Sequence, residues 1–223
     1  MNCVSLYKQY LGKEREDIIR FDSTIVSLSS RLLKIGHDCK GGGNAANIRQ
    51  LKFTIGYSDG MPEKANFFSS QSHTSENVAL KEAVLMQDIE DKGRTIVFDR
   101  GITSRDTYDQ FTQDGICFVS RLSEKARHEI NRPAKEATKF PIHTGSLNIL
   151  SDDLCYLYTN KGRKTKYLYR RIEAIRLDDG KSLVFVTNNL DLDPKDVTEI
   201  YRRRWDIEVF SNLSSSYSIL VTW

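Results

Sequence analysis

Residues 75–122 constrain the fold of this chain more than any other segment. In ENVALKEAVLMQDIEDKG (76–93), Val78, Leu85 and Ile89 recur with Ala79, Ala83 and Met86 alongside. That spacing predicts a helix with Ser75 as N-cap and Gly93 as its stop. TIVF (95–98) is a short strand of the kind buried between helices, and it runs straight into Asp99. TSRDTYDQFTQDG (103–115) reads as a short helix opened by a cap-like Thr103-x-x-Asp106 pair and closed at Gly115. ICFVSRL (116–122) is a second buried strand. Strands alternating with helices in this way require an α/β sheet with parallel members.

The flanking segments extend that sheet. The stretch 18–32 alternates Phe21, Ser23, Ile25 and Ser27 with Asp22, Thr24, Val26 and Leu28, and 48–58 alternates again. They predict two strands in a hairpin, joined through a glycine-rich loop at 37–47, with a third strand at 65–73. Residues 123–182 are polar, basic and broken by Pro133, Pro141, Gly145, Gly162 and Gly180. They read as a β-rich insertion, after which SLVFVTN (182–188) returns to the sheet. The stretch 192–210 opens a helix with Asp193 as N-cap and Pro194 in its first turn. The expected organisation is thus a first core part (1–122), the insertion (123–182), a return strand with the last core helix (183–210), and a divergent tail (211–223).

Composition narrows the class. The chain has 223 residues, 39% of them hydrophobic and 28% charged, which suits a globular protein and not a disordered one. No apolar run approaches the ~18 residues a membrane span needs, and the N-terminus has no apolar leader. Four widely spaced cysteines without a CxxC pair argue against a zinc ribbon or disulfide framework and fit a reducing cytosol. His37, His73, His128 and His143 lack metal-like spacing and read as surface residues. Gly41, Gly42 and Gly43 lack the strand–helix context and lysine of a phosphate loop.

Net charge is only +3, but its distribution is uneven. KGRKTKYLYRR (161–171) carries six Lys/Arg and no acid, and YRRRW (201–205) is a second basic cluster. Each is either a solvated face or the footprint of a polyanion. Three carboxylates stand out as well. Asp22 lies within a β-branched strand, Asp99 ends another, and Glu208 follows Tyr201 and Arg204 at helical spacing. An acid inside an apolar strand costs stability unless it is paired, solvated or bound to a metal. Oxygen-only ligands suit Mg²⁺ or Mn²⁺. Tyr201, Arg204 and Glu208 taken alone also fit a plain surface ion pair.

The segments RFDSTIVSLS, TIVFDRGITS and EIYRRRWDIEVF together resemble the three catalytic segments of the IS4-type DDE transposases. That resemblance implies an RNase H-like α/β fold, a mixed sheet flanked by helices with a β-rich insertion before the last catalytic helix. It implies Asp22, Asp99 and Glu208 as catalytic and metal-binding residues for Mg²⁺ or Mn²⁺. Tyr201, Arg204 and Arg202 would contact DNA, as would Lys161, Arg163, Lys164 and Lys166 of the basic stretch. The partners implied are transposon ends and target DNA, with a homodimer in an intact relative and no membrane.

The family motif continues with a lysine seven residues after the glutamate, whereas this chain has Ser215. A one-base slip near the codon for Phe210 is the hypothesis that would account for the change. One back-translation in the shifted frame continues the helix as EVFFKFIKQ, with lysine at position 215. Genomic DNA without such a slip removes this explanation. With only 21 residues before Asp22, the expectation is a copy truncated at both ends. It is either still able to cut DNA or reduced to a catalytically dead DNA-binding or transposition-inhibiting remnant.

Overall fold

The computed structural model describes residues 18–27, 37–38, 49–58, 60–86, 93–135 and 138–204. They fall into two compact units, 18–86 and 93–204. The triple glycine at 41–43, Trp205, Glu208 and the tail at 211–223 lie outside the described residues. Among the described residues no helix is long and apolar enough to cross a membrane.

The first unit is an antiparallel sheet with one helix. β1 (Ile18–Ser27) and β2 (His37–Asp38) both pair with β3 (Arg49–Ser58), and β4 (Met61–Phe68) pairs with β3 beyond β2. Asp22 sits opposite Ile55. Gly60, at φ 77°, supplies the left-handed residue of the β3–β4 turn. Burial runs along β1 from one end, with Ile19, Arg20 and Phe21 buried and Thr24 and Ile25 exposed, while Thr54 and Phe68 are buried on the neighbouring strands and Phe67 is exposed. α1 (Glu76–Leu85) buries Ala79, Leu80, Ala83 and Val84. A 3₁₀ turn over Gln71–Thr74 precedes it. His73 in that turn stacks on Phe68 at 4.5 Å and meets Glu82 of α1 at 2.6 Å. It is therefore a packed residue and not the surface histidine expected. Gly56 lets β3 approach β1 closely, since a Cβ there would meet the Phe21 ring at 3.2 Å.

The second unit is a mixed sheet with a helix on each face. β5 (Thr95–Phe98) leads through α2 (Arg105–Gln113) to β6 (Phe118–Leu122), which runs parallel to it with Val97 opposite Val119. Ser104 and not Thr103 occupies the N-cap position of α2, without a side-chain capping bond, and Gly115 at φ 72° follows its last turn. Next come β7 (His128–Pro133), β8 (Ile142–His143), β9 (Leu147–Leu157) and β10 (Tyr169–Arg176), all antiparallel to their partners. β11 (Ser182–Thr187) then lies against β6, antiparallel, giving the order β5-β6-β11-β10-β9-β7. α3 (Pro194–Arg202) opens where Asp193 accepts from the Lys195 N–H at 3.0 Å, with Pro194 in the first turn.

Two clusters hold this unit together. On one face Phe98, Tyr108, Phe111, Phe118 and Tyr169 form a continuous aromatic core, with neighbouring ring centroids 4.8–6.3 Å apart. On the other, the guanidinium of Arg170 is fully buried against Asp152, with Nε to Oδ1 at 2.6 Å and a second bond to Oδ2. Arg170 also donates to the main-chain carbonyls of Leu190 and Leu192, just before α3. Removing one partner of a buried pair leaves the other charge uncompensated. Asp152→Ala is therefore expected to destabilise the protein by about 3–5 kcal/mol, read as a lowered urea midpoint. A loss below about 1 kcal/mol would show that water or another group satisfies Arg170.

Candidate active site

The apolar run Ile96, Val97 and Phe98 buries β5 and delivers Asp99 half-buried at the strand's C-terminal end. The Asp99 carbonyl accepts from the Ser120 hydroxyl on β6 at 3.3 Å. Arg121, one residue further along β6, lies directly opposite Phe185 of β11. α3 crosses this face, and the Tyr201 ring packs edge-on to Phe185 with centroids 5.3 Å apart. The Tyr201 hydroxyl donates to Asp99 Oδ1 at 2.7 Å, joining positions 102 residues apart in the chain. Beyond the helix, Arg204 is buried, its N–H bonded to the Tyr201 carbonyl at 2.9 Å and its guanidinium 5.5 Å from the Tyr201 ring centre. The arrangement is a carboxylate, a phenol and two guanidinium groups on one face of the sheet.

Electrostatics keeps this carboxylate charged. Partial burial raises the Asp99 pKa, but the Tyr201 hydrogen bond, the Arg204 charge, the Arg100 main-chain N–H and the Arg121 charge outweigh it. The carboxyl therefore lies below the ordinary aspartate value. Tyr201 moves the opposite way. Burial pushes its phenol above the usual value, the Arg204 charge partly opposes this, and the bond to Asp99 adds to the rise. Near neutral pH the pair is a phenol donating to a carboxylate.

The structure thus joins Asp99, Tyr201 and Arg204. Asp22 lies half-buried on β1 of the first unit, on the same strand face as buried Arg20, and Glu208 lies outside the described residues. Among the described residues no three of His, Cys, Asp and Glu converge closely enough to hold a metal ion. Arg202 is exposed and forms a two-point pair with Glu199 at 2.6 and 2.7 Å. The basic stretch divides. Lys161 and Lys166 are exposed, Arg163 pairs with Asp106 at 2.7 Å, and Lys164 pairs with Glu129 at 2.6 Å. Arg170 and Arg171 are buried, Arg171 against Glu173 at 2.6 Å. Arg121 was absent from the residues read from sequence. Its signal was present: a lone charge in the otherwise apolar ICFVSRL, beside the strand that ends in Asp99.

The profile of the transposase DDE domain family matches residues 13–221. A probable transposase for insertion sequence element IS5377 from Geobacillus stearothermophilus is 23% identical over 172 residues. That match covers 75% of this chain and 41% of the relative, so the chain spans about two fifths of that protein's length. Among solved structures, the piggyBac transposase synaptic complex with hairpin DNA aligns over 91% of this chain and 41% of that one. Identity there is 10% and the TM-score 0.44.

The Asp99 contacts carry a sign that titration can check. A carboxyl whose folded pKa is depressed contributes stability above its unfolded value of 3.8, and this is lost as pH falls through the folded value. Tyr201→Phe removes one of the groups that lower the pKa. Carboxyl-carbon NMR should place Asp99 below 3.8 in the wild type and higher in the variant. The stability gap between the two proteins should be widest near neutral pH and close as the solution is acidified. An unchanged Asp99 pKa in Tyr201→Phe would mean that the hydroxyl does not bond the carboxylate in solution.

Proposed function

The chain belongs to the transposase DDE domain family, and on that premise we propose that it is the catalytic part of an IS4-type DNA transposase that cleaves and rejoins DNA strands. The observation that carries the proposal is the bond between Asp99 and Tyr201, which unites two segments of the motif set. In this reading the core is RNase H-like and the strands between β6 and β11 are the insertion. Asp22, Asp99 and Glu208 form the catalytic set and hold one or two Mg²⁺ or Mn²⁺ ions. The donor set is consistent with such ions: all three side chains offer only oxygen, and Asp99 is kept ionised. When bound, the ions supply activation of a water or 3′-hydroxyl and offset charge on the phosphodiester.

The chain's own residues provide the rest. Tyr201 fixes the Asp99 carboxylate, and the rigid placement of β5 and α3 holds it in one orientation. Arg204, Arg202, Lys161, Arg163, Lys164 and Lys166 bind the phosphate backbone of transposon ends and target DNA, which makes affinity fall steeply with salt. A homodimer is the proposed working assembly, as the resemblance implies. The missing motif lysine at Ser215 favours a second reading, a copy that binds DNA and inhibits transposition without cutting.

Plasmid nicking in Mg²⁺ or Mn²⁺ tests the proposal. Wild-type protein should nick supercoiled DNA, and Asp22→Ala, Asp99→Ala and Glu208→Ala should each lower the rate by at least about 100-fold. Salt-sensitive DNA retention without nicking would support the non-cutting reading. Nicking that survives all three substitutions would remove the carboxylates from the mechanism.

A further inference from the structure

We propose that Arg121 is a phosphate-binding residue of the Asp99 site; this rests on the DNA-cutting reading above. A phenol has one proton to donate. Tyr201 gives its proton to Asp99, and the ring is fixed edge-on to Phe185. In this structure its one donor is committed to the carboxylate. Arg121 is in the opposite condition. It faces the same side of the sheet, directly opposite Phe185, and its charge acts on both Asp99 and Tyr201. Its Nε is buried and has no hydrogen-bond partner among the described residues.

The surrounding groups point the same way. Asp99 is bonded by Tyr201 and faces the charges of both Arg204 and Arg121. Among the described residues Arg121 is in no ion pair, and it keeps an unpartnered N–H donor on the Asp99 face. A guanidinium so placed matches the planar, two-point geometry of a phosphodiester's non-bridging oxygens. The same placement fits a second, plainer role: Arg121 as a counter-charge that serves Asp99 alone. The two roles separate once the Asp99 charge is removed.

The experiment is equilibrium binding of a fluorescent DNA duplex in EDTA, over a range of salt concentrations, with four proteins. These are wild type, Arg121→Gln, Asp99→Asn, and the double variant. A phosphate contact predicts that Arg121→Gln weakens binding roughly tenfold. It also predicts that the slope of log K against log salt falls by about 1, in the wild-type background and in the Asp99→Asn background alike. A loss confined to the background that keeps Asp99, or a slope that does not change, would overturn the proposal and leave Arg121 as a counter-charge. If Arg121→Gln does not fold, Arg121→Lys is the substitute. A two-point contact predicts weaker binding with the slope retained, while wild-type affinity in that variant overturns it. Wild-type protein that shows no salt-dependent binding would instead sink the DNA-cutting reading, and this inference with it.

Discussion

A buried guanidinium, that of Arg170, is the constraint on which the second unit depends. A charge inside a protein is tolerated only where its hydrogen-bonding capacity is met. Asp152 meets part of it from β9, and the carbonyls of Leu190 and Leu192 meet more. The second set of bonds ties the chain segment that leads into α3 to the sheet. Asn189 braces the same turn by accepting from the N–H groups of Asp191 and Leu192, and Asp193 then caps the helix. A one-residue slip in this lead-in would turn every α3 side chain by about 100°. The 2.7 Å bond from Tyr201 to Asp99 thus depends on how Arg170 is satisfied on another strand of the sheet.

Asp99 needs an equally firm anchor on its own strand. The aromatic core of Phe98, Tyr108, Phe111, Phe118 and Tyr169 fixes the end of β5 against α2. Asp109 on α2 accepts from the N–H groups of Lys166 and Tyr167 and from the Tyr169 hydroxyl, which ties the helix to the start of β10. Asn188 closes the far side, accepting from Phe118 N–H and donating to the Ile116 carbonyl, as a strand neighbour would. Packing and polar bonds on the α2 side fix the strand, and the Tyr201 bond on the opposite face holds the Asp99 carboxylate itself. A fixed acid meets the sub-ångström tolerance that metal or phosphate chemistry demands.

The parts legible in the sequence were those with a local pattern. The apolar run before Asp99 and the Asp193–Pro194 start of α3 each carried their own signal, and both stand where the pattern put them. β2 is only two residues long, too short for any alternation to show. β4 begins at Met61, ahead of the predicted 65, because Pro62, Glu63 and Lys64 look like turn residues until β3 pairs with them. α2 starts one residue later than the Thr103 cap predicted, with Ser104 at the N-cap position and no side-chain capping bond to mark it. Arg170 and Arg171 read as two more charges in a basic run. Their burial is decided by Asp152, which is 18 positions away from Arg170, and by the pairing of β10 between β9 and β11. Arg121 was overlooked for a related reason: its meaning depends on which strand lies beside it.

That division of the basic run bears on how it meets a polyanion. Arg170 and Arg171 are buried in β10, Arg170 together with its carboxylate, so they add to the net charge but offer little surface to a polyanion. The pairs Arg163–Asp106 and Lys164–Glu129 are of a different kind, since both partners are solvent-exposed. Exposed pairs of this sort are weak because water screens them, so a phosphate can displace the carboxylate at small cost. Lys161 and Lys166 are in no ion pair among the described residues and have nothing to give up. On the proposed DNA-binding reading, six basic residues in eleven positions therefore reduce to four accessible to a backbone phosphate, two of them by exchange. The salt dependence that this reading predicts reports the smaller number, because only charges that release counterions contribute to the slope.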